Sequence, residues 1–261
     1  NCGIAEANMV GVAAGLSSMG FVPFAHSFGV FASRRAYDQF FLSVNYAKRR
    51  VHLIGTDPGV TAQLNGGTHM PFEDVGLMRL IPDLIILDPS DTQSCYELVR
   101  QAYESGHSSY TRIRRKGATH RYPVGTKIEL GKGIVVREGS DLTIVATGET
   151  MMDQAEKACD ILTAKGIKAR LIDLHTIKPL DTDIIEKAAR ETGRILVCEN
   201  ARYAGGVGEA IAAHLARTCP TKMDFVNVGE RFGEVGKLDY LLKSFNFTAD
   251  DIAAKAEALV K

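Results

Sequence analysis

Glu6 is a carboxylate in an unusual sequence environment, because small and apolar residues surround it in an Ala-rich stretch that is typical of a helix. Burial raises the pKa of a carboxyl group unless a partner stabilises its charged form. A buried carboxyl group that faces a ring nitrogen can exchange a proton with that nitrogen. The simpler interpretation is a first-turn acid that complements the helix dipole, and the residues alone leave both open.

Phe28 and Phe31 stand three positions apart in a predicted turn. Two rings at that spacing can stack on a flat heterocycle, although core packing is the commoner reason for such a pair. His69 follows a loop rich in glycine that begins at Gly55. It could donate a hydrogen bond to a substrate hydroxyl, or it could be a plain surface residue of the loop.

A basic cluster follows a predicted strand, with Arg112, Arg114, Arg115 and Lys116 close together. Guanidinium groups donate paired hydrogen bonds to phosphate or carboxylate, so the cluster is a candidate anion site. A solvated basic surface is the alternative, because short runs of this kind are common on surfaces.

The elements that must position these residues alternate between helices and short buried strands, which predicts parallel sheets. In the first half we expect helices at 5–18, 36–47 and 91–104, and strands at 21–25, 51–55, 84–87 and 109–113. In the second half we expect helices at 150–165, 181–191 and 208–216, and strands at 142–146, 169–173, 194–198 and 224–228. The fold class is therefore α/β, with two domains that are each a mostly parallel sheet flanked by helices.

A connecting segment is expected between the halves, because glycines, one proline and several basic residues between about 117 and 139 follow no period. We place the first domain at 1–121, the linker at 122–138 and the second domain at 139–261. The chain opens without Met, and we expect that residues upstream are missing.

Composition excludes several classes of protein. Lys plus Arg equals Asp plus Glu, at 31 each, so no overall field favours nucleic acid or an anionic membrane. The apolar runs are too short to span a bilayer. The five cysteines are scattered singly, which predicts neither disulfides nor zinc and fits a reduced cytoplasm. We expect no metal ligands in this chain.

The segment from Cys2 to Leu16, with its Gly-Ile-Ala-Glu run, resembles the pyrimidine-binding domain of the transketolase family. The resemblance implies that Glu6 hydrogen-bonds the aminopyrimidine ring of thiamine diphosphate and activates the cofactor. It also implies that Phe28 and Phe31 stack on the pyrimidine. Arg34 stands where transketolases have a third aromatic residue of that cofactor-binding site.

The loop from Gly55 to Pro71 resembles the family's loop that ends in Gly-Pro-Thr-His. The resemblance implies a catalytic and substrate-binding role for His69 and a substrate-binding role for Asp57, Asn65 and Arg115. Asp57 replaces the usual histidine and Asn65 the usual aspartate, while Arg115 matches the arginine that clamps the sugar phosphate. Both replacements change hydrogen-bonding capacity, so the substrate need not be a standard pentose-phosphate intermediate.

The second half resembles the transketolase C-terminal domain through the Asp-Leu-His run at 173–175 and the Cys-Glu-Asn run at 198–200. The family's Gly-Asp-Gly motif, which helps bind Mg²⁺ against the diphosphate, does not occur in the sequence. The resemblance therefore implies that a large partner subunit supplies the Mg²⁺ ligands. It implies a dimer or a heterotetramer, and a chain that is active only with its partner.

The function implied is transfer of a two-carbon ketol unit between a ketose phosphate and an aldose, by the small subunit of a split transketolase. Asp57 and Asn65 keep open a relative such as deoxyxylulose-phosphate synthase or the β subunit of a 2-oxo-acid dehydrogenase. A non-catalytic subunit with the same fold is a third hypothesis, and Glu6 argues against it.

Overall fold

The computed structural model describes residues 1–117 and 119–261. Ala118, which falls in the segment assigned above to the first domain, lies outside the described residues. The described chain forms two five-stranded sheets, each mostly parallel and flanked by helices, so the predicted fold class is confirmed. In this part of the chain, no helix is long and apolar enough to cross a membrane.

The first sheet has the strand order β1-β2-β4-β3-β8. In chain order the elements of the first half are α1 (Glu6–Ser18), β1 (Phe24–Phe28), a π-helical turn (Phe31–Arg35), α2 (Tyr37–Gln39), a second π-helical segment (Phe40–Tyr46), β2 (His52–Thr56), 3₁₀ turns (Gly59–Asn65 and Gly67–His69), α3 (Asp74–Arg79), β3 (Ile85–Leu87), α4 (Thr92–Glu104) and β4 (Ser109–Ile113). Strands β1, β2, β4 and β3 run parallel.

Two features of the first half differ from the sequence prediction. Strand β1 begins at Phe24 and not at Phe21, because the residues that precede it form the turn that leaves α1. The helical segment begins at Phe31, five residues before the predicted start, and contains two π-helical stretches. Wider i→i+5 turns of this kind often mark functional sites, and the first one carries Arg34 and Arg35.

The second sheet has the order β10-β9-β6-β7-β5. Its half of the chain contains β5 (Ile134–Arg137), β6 (Leu142–Ala146), α5 (Gly148–Ala164), β7 (Ala169–Asp173), β8 (Thr176–Lys178), α6 (Thr182–Thr192), β9 (Arg194–Cys198), α7 (Val207–Thr218), β10 (Lys222–Val226), α8 (Leu238–Ser244) and α9 (Ala249–Val260). Strand β5 is antiparallel to β7 and lies within the segment 122–138.

Strand β8 joins the two halves of the chain. It follows β7 of the second sheet but pairs antiparallel with β3 of the first, with Leu87 opposite Thr176 and Ile86 opposite Lys178. The Lys178 ammonium donates to the carbonyl oxygen of Ile81 at 2.5 Å. The second half therefore completes the first sheet.

The carboxyl ends of β1, β2 and β4 lie side by side. Phe28 is in register with Thr56, and Thr56 is in register with Ile113. Because parallel strands end at the same edge of a sheet, the segments that follow these strands converge there, and ligands in α/β folds bind at such edges. These segments carry Phe31, Asp57 and Arg115.

Arg112 is the buried cation at this edge. Its Nε donates to Asp74 at 2.9 Å, its Nη1 donates to Asp88 at 2.7 Å, and its Nη2 donates to the carbonyl oxygen of Asn200 at 2.8 Å. The Tyr110 hydroxyl also donates to Asp74. Burial alone would lower the pKa of Arg112, but the Asp74 and Asp88 carboxylates outweigh it and raise that pKa.

Replacing Arg112 by Leu should destabilise the chain strongly, because two buried carboxylates lose their shared cation. Breaking a buried pair from one side costs about 3–5 kcal/mol. Urea unfolding followed by circular dichroism should show that loss of unfolding free energy. The matched control is Arg100→Leu, whose exposed helical ion pairs should hardly move the midpoint. Equal midpoints for the two variants would contradict this account.

Candidate active site

Glu6 is buried and held by two donors. Helix α1 begins at Glu6, and the residue is only 6% exposed. Its Oε1 accepts from the Ser27 hydroxyl at 3.0 Å, and its Oε2 accepts from Arg35 Nη1 at 2.8 Å. Ser27 lies in β1 immediately before Phe28, so the carboxylate sits beside the end of that strand.

The charge of Glu6 is stabilised despite its burial. Burial by itself would raise the pKa of Glu6, but the hydrogen bonds from Arg35, from its own backbone and from Ser27 outweigh it. The pKa therefore lies below its ordinary value. An ionised carboxylate that is partly buried is suited to accept a proton or a hydrogen bond from a ligand nitrogen.

Three rings form an aromatic cluster next to Glu6. The Phe28 and Phe31 ring centroids are 6.1 Å apart in an edge-to-face arrangement, and the His69 ring lies 5.5 Å from Phe28 and 5.1 Å from Phe31. The structure thus brings together three of the residues singled out in the sequence. The Nδ1 atom of His69 is 2.9 Å from the Thr68 hydroxyl.

Two guanidinium groups lie over the faces of these rings. The Cζ atom of Arg35 is 4.2 Å from the Phe31 centroid, and that of Arg115 is 4.5 Å from the Phe28 centroid. Both faces therefore accept a flat, positively charged group in a cation–π arrangement. Arg35 also reaches Glu6, so a single side chain bridges the carboxylate and the aromatic cluster.

Arg34 points elsewhere, because its Nε lies 3.0 Å from the Glu73 carboxylate. The arginine beside Glu6 is the next residue, Arg35, which the sequence reasoning missed. A signal for it existed: Arg35 follows Phe31 by four residues, the spacing at which helical side chains meet. A buried Glu6 also requires a nearby cation.

A cavity of about 190 Å³ opens next to the aromatic cluster, and Asp57, Asn65 and Arg115 all line it. Asp57 is buried, and its Oδ2 accepts from Arg115 Nε at 2.5 Å. Arg114 and Lys116 also line the cavity, so cations outnumber the one carboxylate. The lining is suited to an anionic group with neighbouring hydroxyls.

Two lining residues of the cavity have a left-handed backbone. Asp57 has φ of 57° and Gln63 has φ of 50° with ψ of −119°, and neither is a glycine. Backbone strain of this kind costs of order 1–3 kcal/mol and persists where the surroundings enforce it, often at functional sites. The loop that carries Asp57 and Gln63 is thus held in a conformation it would not adopt alone.

Within the ranges 1–117 and 119–261, no group of three or more His, Cys, Asp or Glu side chains could hold a metal ion. The cysteines in these ranges are free thiols. The carboxylates of the site are instead paired with arginines, Glu6 with Arg35 and Asp57 with Arg115.

Comparison with known families identifies both halves of the chain. The transketolase pyrimidine binding domain matches residues 1–118, and the transketolase C-terminal domain matches residues 131–252. The chain belongs to the transketolase family. Glu6, Phe28, Phe31, Asp57 and Arg115 all fall within the matched pyrimidine binding domain.

Individual transketolase relatives match nearly the whole chain. The 6-deoxy-6-sulfo-D-fructose transketolase subunit SqwH of Clostridium sp. (strain MSTE9) is 43% identical over 99% of this chain and 80% of its own length. A 1-deoxy-D-xylulose-5-phosphate synthase of Heliobacterium modesticaldum is 34% identical over 98% of this chain, but over only 40% of the relative.

A solved structure of the same family has a closely similar backbone. It is described as a split gene transketolase, inactive beta4 tetramer, and it superimposes with a TM-score of 0.91 at 36% identity. The match covers 100% of this chain and 83% of that one.

Replacing Arg35 by Gln should raise the pKa of Glu6, because burial then acts on a carboxylate that has lost its main donor. A ¹³C NMR titration of the Glu6 carboxyl carbon measures this directly. Arg34→Gln is the matched control, since Arg34 pairs with Glu73, and it should leave the titration of Glu6 unchanged. An unshifted Glu6 titration in Arg35→Gln would contradict the assigned contact.

The Glu6–Arg35 ion pair also makes the free energy of unfolding depend on pH. Because the folded pKa of Glu6 lies below 4.5, its stabilisation is present above that pH and is lost as pH falls through the folded pKa. Arg35→Gln should therefore destabilise the chain relative to wild type more at neutral pH than in strong acid.

Proposed function

We propose that the chain is the small subunit of a split transketolase, which moves a two-carbon ketol unit from a ketose with an anionic end to an aldose. The observation that carries the proposal is the buried, ionised Glu6 beside the Phe28 and Phe31 rings, within a chain of this family. The site needs thiamine diphosphate and a large partner subunit to become complete.

The residues present fit the aminopyrimidine end of thiamine diphosphate. The ring faces of Phe31 and Phe28 already accept flat cationic groups, the guanidiniums of Arg35 and Arg115. Glu6 is bound by the same Arg35 side chain that covers Phe31, so the carboxylate and the ring lie within reach of one ligand. When bound, the cofactor supplies the nucleophilic carbon that attacks a ketose carbonyl and stabilises the charge left after the carbon–carbon bond breaks.

Glu6 is the proposed catalytic carboxylate. Glu6 would hold the pyrimidine by accepting a hydrogen bond from a ring nitrogen in place of the one from Arg35, and it would thereby support the proton transfer that the cofactor supplies. Its lowered pKa keeps it ionised at neutral pH, ready to accept that hydrogen bond. Phe28 and Phe31 would contact the ring, one through its face and the other through its edge, because their planes are nearly perpendicular. Arg34, the other cofactor-binding residue that the resemblance implies, pairs with Glu73.

The cavity beside the rings is the proposed substrate site. Arg115 binds the anionic end of the sugar, and Asp57 and Asn65 contact its hydroxyls. His69 contacts both phenylalanine rings, and its proposed role is to donate to the substrate oxygen that develops charge. The relative named for a sulfonated fructose supports an anionic group that need not be phosphate.

The partner and the metal are parts of the same proposal. A large subunit with the diphosphate-binding domain supplies the ligands of Mg²⁺, and the two kinds of subunit form a heterotetramer. Support comes from the relative named as a transketolase subunit and from the solved split transketolase. The free thiols support a cytoplasmic protein.

A second candidate is the deoxyxylulose-phosphate synthase reaction, in which pyruvate is the donor. The specific observation in its favour is Asp57, which replaces a transketolase histidine, together with the similar synthase of Heliobacterium modesticaldum. That match covers less than half of the relative, so the transketolase reaction is preferred.

The decisive test replaces Glu6 by Gln in the complex co-expressed with the large subunit. Ketol transfer from xylulose 5-phosphate and from 6-deoxy-6-sulfofructose to an aldose should fall by about 10²–10⁴-fold, the usual contribution of a proton-transfer group. Glu104→Gln, on exposed α4, is the control that should keep full activity. Formation of 1-deoxyxylulose 5-phosphate and CO₂ from pyruvate and a triose phosphate by the wild-type complex, without ketol transfer from the ketoses, would favour the synthase. Equal activity of both variants would contradict the role of Glu6.

Replacing Arg115 by Lys tests the substrate end of the site separately. The charge is kept, but the planar fork and its stacking on Phe28 are lost. We expect the KM for an anionic ketose donor to rise about tenfold, equivalent to about 1.4 kcal/mol. The KM for an uncharged ketose such as erythrulose should stay constant. Equal changes for both donors would contradict an anion-binding role.

A further inference from the structure

The segment that follows strand β9 in the second half contacts the loop 55–71 of the first half, which carries the proposed substrate residues Asp57 and Asn65. Asn200, two residues after the end of β9, is buried at 3% exposure. Its Oδ1 accepts from the backbone N–H of Val60 at 3.1 Å, and its Nδ2 donates to the backbone carbonyl of Pro58 at 3.0 Å. One carboxamide thus satisfies both backbone groups on either side of Gly59.

The fit around this carboxamide leaves no room at Gly59. A Cβ atom built at Gly59 would lie 2.0 Å from Asn200 Oδ1, and the φ of Gly59 is +52°, a conformation that glycine adopts readily. The backbone at Gly59 and the Asn200 side chain are therefore in close, complementary contact. This contact fixes the backbone directly after Asp57.

The backbone of Asn200 is fixed in turn. Its carbonyl oxygen accepts from Arg112 Nη2 at 2.8 Å, inside the buried network with Asp74 and Asp88. The neighbouring Arg202 N–H donates to the carbonyl oxygen of Phe72 at 2.8 Å, at the far end of the same loop. Asn200 is therefore a rigid support and not a mobile surface side chain.

The positions of the proposed substrate residues Asp57 and Arg115 depend on the Pro58–Val60 segment, which Asn200 binds. Asp57 precedes Pro58, has the left-handed φ of 57°, and accepts from Arg115 at 2.5 Å. A strained φ of this kind persists only when the surroundings enforce it. If the Pro58–Val60 segment relaxed, Asp57 would turn away and Arg115 would lose the partner that aims it into the cavity.

We propose that Asn200, which lies outside the pyrimidine binding domain, is a positioning residue that holds Asp57 and Arg115 in place for the anionic end of the substrate. The inference rests on the proposed substrate site. It gives the C-terminal domain a defined share in substrate recognition while leaving the Glu6 end of the site untouched.

The test replaces Asn200 by Ser, which removes both bonds to the loop and keeps a small polar side chain. Asn227→Ser is the matched control, because Asn227 follows β10 in the same half and its Oδ1 accepts locally from Gly229. In the complex with the large subunit, Asn200→Ser should raise the KM for the anionic ketose about tenfold, which corresponds to about 1.4 kcal/mol. The kcat and the affinity for thiamine diphosphate should change less than about threefold, because Glu6 and the rings are not moved.

A second variant separates positioning from mere instability. Gly59→Ala should impair binding of the anionic ketose at least as much, since its methyl group collides with Asn200. The double variant Gly59→Ala/Asn200→Ser should bind better than Gly59→Ala alone, because the smaller serine gives the methyl group room. A purely structural role would instead produce additive losses of melting temperature and no change in KM for the folded fraction.

Inorganic phosphate serves as a probe that needs no catalysis. Titration of the isolated chain, followed by NMR, should show weaker phosphate binding in Asn200→Ser than in Asn227→Ser, and the Val60 amide should exchange faster with solvent. If the wild-type complex had no ketol-transfer activity, the proposed function would be contradicted. Weaker phosphate binding and faster Val60 exchange in Asn200→Ser would still support the positioning role of Asn200. Unchanged phosphate binding and unchanged Val60 exchange in Asn200→Ser would overturn it.

Discussion

The structure depends on one buried cation, Arg112, at the carboxyl edge of the first sheet. Its guanidinium ties together Asp74 from α3, Asp88 from the segment after β3 and the Asn200 carbonyl from the second half. Charges this deeply buried are tolerated only when they are fully paired, so the three segments must stay where the pairing puts them. The edge that carries the candidate site is thereby fixed from both halves of the chain.

The chemistry of the site follows from charges that are already paired. Glu6 with Arg35 and Asp57 with Arg115 form two ion pairs, and the guanidinium of each lies over one ring of the cluster, Arg35 over Phe31 and Arg115 over Phe28. In the proposed reaction a cofactor ring would take the place of Arg35 at Glu6, so that this carboxylate keeps a hydrogen-bond partner, whereas Asp57 would stay on Arg115 Nε and leave the other guanidinium donors for an anion. This exchange explains how a carboxylate can stay ionised in a largely buried position and still be available to a ligand.

The sequence predicted the parts of the structure that local pattern controls. Strands β4, β6, β7 and β9 lie at their predicted positions. Strands β6 and β9 are short, mostly apolar runs bounded by turn residues, a pattern typical of buried strands. Strand β8 was missed because three residues are too few to show the periodicity of a strand. Its pairing with β3 is moreover a tertiary contact. Glu6 and the aromatic residues were singled out by residue type and spacing, which left a structural alternative open, and the family resemblance supplied their cofactor role. Arg35 and Asn200 were not, since their roles depend on partners 29 and 140 residues away.

The most direct test of the account is a crystal structure of the chain with the proposed large subunit and thiamine diphosphate. We expect a ring nitrogen of the aminopyrimidine within hydrogen-bonding distance of Glu6, with the ring against Phe28 and Phe31. The Arg35 guanidinium should have left the Glu6 carboxylate. A structure in which Arg35 still binds Glu6 while the pyrimidine lies elsewhere would contradict the claim that this chain provides the pyrimidine site.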